Sequence, residues 1–244
     1  MSGHSKWSTI KHRKGAADAK RGQVFTKVIK EITVAARSGG GDPGANPRLR
    51  RALDEAKANN MPQENVTRAI KKGTGELEGV NYEELTYEGV GPLGALFVIE
   101  AVTDNRNRTT PELRKVFDKH NGQLGSSGTA LWAFDEKGLI TVPKALATEE
   151  QLFDIAVGAG AEDIQLNEEA WHILTPRDSL EEVREALLQA QLIPASVSLE
   201  KVPKTPKIVS ETEAEPLLHL LEALEDHDDV QKVSADFQIV DNAS

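Results

Sequence analysis

GLITVP (138–143), TEEQLFDIAVGAG (148–160), AEDIQLN (161–167), EAWHILTP (169–176), SLEEVREALLQAQ (179–191) and PASVSLEKV (194–202) follow one another with little between them. The first, third, fourth and last are short runs that alternate or concentrate apolar residues, which suits a pleated, half-buried surface. The second and fifth repeat apolar residues at three and four positions, the period of one helix face. The order is therefore βαββαβ, the split arrangement of a ferredoxin-like sandwich.

Working outward, YEELTYEGVG (82–91) and GALFVIEAVTD (94–104) predict a hairpin turning at Gly91–Pro92. TTPELRKVFDKHNG (109–122) predicts a helix, and TALWAF (129–134) a further strand. At the other end, EAEPLLHLLEALEDHDDVQKV (213–233) and SADFQIV (234–240) predict only a helix and a strand, too little to enclose a core. They are expected to complete the domain opened near Tyr82. Before it, QVFTKVIKEITVAAR (23–37) places Val24, Phe25, Val28, Ile29, Ile32, Ala35 and Ala36 in one sector and Lys20, Lys27, Lys30 and Arg37 opposite. Gly39–Gly41 should stop that helix. Asn46 and Pro47 open a second, and Pro62 to Gly73 frames a third. The expectation is an α+β, multidomain chain. A three-helix bundle over 1–75 is followed by two α/β sandwich domains of ferredoxin-like type, one of them discontinuous (80–137 with 204–244) and the other inserted (138–203).

The formal net charge of −10 hides a division. Residues 1–75 carry 16 Lys and Arg against 6 Asp and Glu, a net of +10, while 76–244 carry 13 against 33, a net of −20. The acidic part would repel a polyanion, so nucleic acid must meet the first third. There Lys6, Lys11, Arg13, Lys14, Lys20, Arg21, Lys27 and Lys30 supply charge, His12 adds a donor and Trp7 a ring that can stack on a base. A second basic spot, TDNRNRTT (103–110), sets Arg106 and Arg108 before a helix, where an anion could be held or the helix simply capped.

Other readings fall away. The chain has no cysteine, which excludes disulfides and thiolate chemistry. GVGPLG (89–94) has the letters of a dinucleotide fingerprint, but a strand follows it where a helix is required, and a hairpin turn is the better reading. GSSG (125–128) does not fit a nucleophile elbow. The six histidines form no helical i, i+4 pair, and no catalytic, metal or cofactor site is expected. No apolar run reaches membrane-spanning length, and the N-terminus lacks the apolar core of a secretory signal, so a cytoplasmic protein is expected.

GHSKW (3–7), IKHRKGAADAKRG (10–22), FTKVIKEI (25–32), YEGVGPLG (87–94), TDNRNRT (103–109) and NGQLGSSGTALWAF (121–134) resemble the hallmark blocks of the YebC/PmpR family, along nearly the whole chain. The resemblance implies three domains, helical then α/β, one of them discontinuous, and no catalytic residues. It also implies a DNA-binding transcriptional regulator whose basic N-terminal domain is the contact surface. Other members, including a mitochondrial translational activator, act in translation, so ribosomal RNA and the ribosome are the alternative partners to DNA and the transcription machinery.

Overall fold

The structure is a computed structural model and describes residues 18–167 and 169–240. Three helices come first: α1 (Asp18–Gly39), α2 (Pro47–Ala58) and α3 (Gln63–Thr74). Val28, Ile32, Ala35 and Ala36 of α1 bury against Leu49, Ala52 and Ala56 of α2 and Val66 and Ala69 of α3. Asn46 joins two of these helices. Its Oδ1 accepts the Leu49 N–H at 3.0 Å and so caps α2, while its Nδ2 donates to the Ala35 and Gly40 carbonyls, both at 2.8 Å, at the end of α1. Gly73 lets α3 approach α1 closely, since a Cβ there would stand 2.4 Å from the Thr33 carbonyl oxygen.

The first sheet is four-stranded and antiparallel throughout. β1 (Glu83–Val90) and β2 (Leu96–Thr103) form the hairpin, with Leu93 (φ 57°) and Gly94 (φ 71°) in the turn. GVGPLG is thus a turn between strands. Helix α4 (Arg106–Lys119) leads to the two-residue β3 (Gln123–Leu124). Phe97 of β2 meets Phe117 of α4 edge-on, with ring centroids 6.2 Å apart.

The chain then forms a compact unit of its own, Phe134–Lys204. It comprises β4 (Phe134–Pro143), α5 (Glu149–Leu152), which runs on as a π-turn over Phe153–Val157, β5 (Asp163–Leu166), β6 (Ala170–Pro176), α6 (Leu180–Gln189) and β7 (Ser196–Pro203). The strand order β5-β6-β4-β7, antiparallel throughout, is that of a ferredoxin-like sheet. Ile140, Val142, Trp171 and Ile173 of the sheet pack against Leu152, Val183 and Leu187 of the helices. The Trp171 indole is buried and donates to the Ala147 carbonyl at 3.0 Å.

From Thr205 the chain rejoins the first unit. It adds β8 (Lys207–Ser210), α7 (Glu211–Glu225), β9 (Val230–Ala235) and β10 (Phe237–Val240). β8 and β10 pair in parallel, and β9 completes the first sheet beside β2. The fold is α+β, as expected, with two local corrections. TALWAF is not a strand. Leu131–Ala133 is a 3₁₀ turn, because the buried Glu88 carboxylate accepts the N–H groups of Gly128, Ala130 and Leu131 at 2.8, 2.6 and 2.7 Å and takes them away from any ladder. The C-terminal segment supplies three strands rather than one, two of them only four residues long and legible only through their pairing. Among the described residues, no helix is long and apolar enough to cross a membrane.

Candidate nucleic-acid interface

Lys6, Trp7, Lys11, His12, Arg13 and Lys14 lie outside the described residues, and Lys20 and Arg21 fall on the opening turn of α1. Further along α1, the expected solvated basic face is largely spoken for. Lys30 is only 7% exposed, a correction to its placement. Its Nζ donates to Asp229 Oδ1 at 2.7 Å and to the Asp228 carbonyl at 3.0 Å. Lys27, half-buried, donates to the Glu225 carbonyl. Burial lowers the Lys27 pKa, although Glu225, Asp226 and Asp228 pull the other way. An acidic segment, Glu225–Asp229, therefore covers this side of the helix, and periodicity along α1 holds no information about a segment some 200 residues later.

The bundle's arginines are similarly committed. Arg48 forks to Glu31 (2.7 and 2.9 Å) and to Glu84 (3.1 and 2.7 Å). Arg37 donates to the Val80 carbonyl, Arg50 to those of Pro43 and Gly44, and Arg68 pairs with Glu64. Lys57 and Lys71 remain exposed.

TDNRNRTT divides. Thr103 ends β2, Asn105 caps α4 by accepting the Arg108 N–H at 3.2 Å, and the two arginines that follow diverge. Arg108 turns to Asp229 Oδ2 (2.9 Å) and Asp104 (3.0 Å). The same Asp229 oxygen accepts from Thr109 at 2.7 Å and Thr103 at 3.1 Å. Burial alone would raise the Asp229 pKa, but hydrogen bonds from Lys30, Thr109 and Arg108 outweigh it and hold the carboxyl well below the ordinary range. Arg106 instead faces a cleft of about 550 Å³, with no partner among the described residues. The cleft's other walls are β1 and the Gly125–Ser127 end of the GSSG loop, which lie more than thirty residues apart in the chain. Sequence reading missed Arg114, Ser126 and Ser127 here. The signal available was the stripe 106, 110, 114 along one helix face.

A larger cleft, about 810 Å³, is lined by Lys30, Arg108, Glu112, Lys119, Asp226 and Asp229 among others. Its charges are of both signs, and Lys30 and Arg108 are paired to acids, which disfavours a polyanion. Glu112, His227 and Asp229 bring ligand atoms within 4.8 Å of one another there. Yet both Asp229 oxygens already hold cationic or hydroxyl donors. His227 Nδ1 accepts the Asp229 N–H at 3.1 Å, and its Nε2 meets Glu112 at 3.0 Å. The same atoms are thus already engaged in a hydrogen-bond network.

Residues 5–76 match the model described as the TACO1/YebC protein N-terminal domain, and residues 82–237 the TACO1/YebC second and third domain. A protein of Desulfosudis oleivorans, named a probable transcriptional regulatory protein, is 52% identical over 99% of this chain and 98% of its own length. One of Geobacter sulfurreducens with the same description is 55% identical, over 98% and 96% respectively. The crystal structure of a conserved hypothetical protein from Aquifex aeolicus superposes with a TM-score of 0.84 at 47% identity, over 93% of each chain. With both models matched in chain order and relatives of this identity along almost its whole length, the chain belongs to the TACO1/YebC family.

Proposed function

We propose that this protein is a non-enzymatic, nucleic-acid-binding regulator of transcription that holds DNA through its basic N-terminal domain, residues 1–75. The observation that carries the reading is the charge division, +10 in that third against −20 in the rest. Electrostatics of this kind orient a chain on a polyanion. Lys27, Lys30 and Arg48 are paired internally, so the reading assigns the contacts to Lys6, Lys11, Arg13, Lys14, Lys20 and Arg21, the cations of the opening segment, together with the exposed Lys57 and Lys71. The relatives' description as probable transcriptional regulatory proteins supports the same reading.

One observation favours a second reading, a ribosome-associated, RNA-binding translation factor. Arg37, Arg48, Arg50 and Arg68 are engaged within the protein, so they are not free for the bidentate base contacts that read a DNA sequence. Phosphate and shape recognition suffices for folded RNA.

Crosslinking in cells, followed by sequencing of both DNA and RNA, separates the two. Reads focused on promoters support the first reading; reads concentrated on ribosomal RNA replace it with the second. In vitro, Lys11→Glu, Arg13→Glu and Lys14→Glu together should abolish polyanion binding at about 150 mM salt, where phosphate contacts are already weakened. Unchanged affinity would remove the arm from the interface.

A further inference from the structure

Arg106, Thr110 and Arg114 follow one another at intervals of four on α4, a single stripe about 12 Å long. All three line the 550 Å³ cleft. Both arginines are exposed and neither has a partner among the described residues, unlike Arg108, two positions from Arg106 and about 200° around the helix. Between them, Thr110 Oγ1 lies 2.9 Å from Tyr87 Oη of β1, and Ser126 and Ser127 also line the cleft, with hydroxyls that make no hydrogen bond among the described residues. The acid in the lining, Glu88, is turned away: its carboxylate is consumed by the three N–H groups of Gly128, Ala130 and Leu131. Those bonds also hold the serine loop in place. Gly128 adopts φ +88°, and a Cβ at Gly125 would stand 2.5–2.9 Å from the Thr129 side chain.

We propose that this cleft is a phosphate-binding site, with Arg106 and Arg114 as its cationic jaws and Thr110, Ser126 and Ser127 as neutral donors. Two guanidinium forks flanked by hydroxyls match the charge and acceptor geometry of phosphate oxygens. The stripe is longer than one phosphate group, and with a strand rising ~3.4 Å per phosphate it spans about three or four steps of a nucleic-acid backbone. The phosphates come either from such a backbone or from a small soluble phosphate. The site stands in the acidic two-thirds of the chain and needs nothing from the N-terminal arm, so it goes beyond the function proposed above.

The test uses the full chain, wild type and R106A/R114A, with two probes: a labelled 20-nucleotide single-stranded RNA read by anisotropy across a salt series, and pyrophosphate read by calorimetry. Both arginines are exposed and unpaired, so the variant should melt with the wild type. R106K/R114K keeps the charge without the forks and serves as the second variant. If the ligand is a strand, R106A/R114A should bind the RNA at least tenfold more weakly. Its log K against log salt slope should flatten by about 1.4, two phosphates' worth for a single strand, with partial recovery in the lysine variant. If the ligand is a small phosphate, pyrophosphate binding is lost while the RNA curve is unchanged. Identical curves for wild type and R106A/R114A with both probes, or no binding of either probe by wild type, overturn the proposal. The Lys11, Arg13, Lys14 charge reversal distinguishes the two readings: it should spare pyrophosphate binding at the cleft whatever it does to the strand.

Discussion

Replacing Asp229 by Asn tests whether one buried carboxylate ties the helical bundle to the first sheet. The side chains of Lys30 and Asp229 are 9% and 3% exposed and 2.7 Å apart. The carboxylate also receives Arg108, Thr103 and Thr109. Asn removes the charge but keeps the shape, leaving the Lys30 ammonium buried without its counter-ion. Breaking one side of a buried pair costs about 3–5 kcal/mol. For a chain of this size that lowers Tm by roughly 6–20 °C. Urea unfolding followed by far-UV circular dichroism measures the loss. Hydrogen exchange should locate it in α1 and at the α7–β9 turn. The sign with pH is fixed by the depressed folded-state pKa. The stabilisation is fully present above the unfolded value, about 3.9, and is lost as pH falls below it, so the gap between wild type and variant should narrow only under acid conditions. A cycle with Lys30→Met should give a coupling of about 1–3 kcal/mol. A loss below about 1 kcal/mol together with additive single changes would refute the reasoning.

Asn46→Ala removes the α2 cap and leaves two carbonyls near the end of α1 without their donor, so it should destabilise by about 2–4 kcal/mol in urea titrations, more than an ordinary cap. Gly73→Ala should destabilise by about 1–3 kcal/mol despite the better helix propensity of alanine, because its Cβ would meet the Thr33 backbone oxygen; differential scanning calorimetry reads the effect. Glu88→Gln should speed hydrogen exchange at Gly128, Ala130 and Leu131 and cost about 1.5–3 kcal/mol. Burial opposes the charge of Glu88, but the three N–H bonds outweigh it and lower its pKa, so this contribution is present above about pH 4.3 and is lost as pH falls below it.

The sequence by itself determined what local periodicity and composition carry: the three amphipathic helices with Asn46 at a cap, the βαββαβ order of 138–203, the hairpin at Gly91–Pro92, and the segregation of charge. These depend on residues within a few turns of one another, and the physics that selects them acts over that range. Only the tertiary structure decided which cations are available. Lys30 sits on the helix face that a period of 3.6 assigns to water, yet Asp229, far along the chain, closes over it. Arg106 and Arg108 are indistinguishable as letters in one loop, but two steps of helix turn one to a cleft and the other to a carboxylate. Glu88 overrode the strand pattern of TALWAF in the same way, because a buried acceptor must be satisfied by whichever N–H groups the fold brings to it, and no pattern within that segment says which those are.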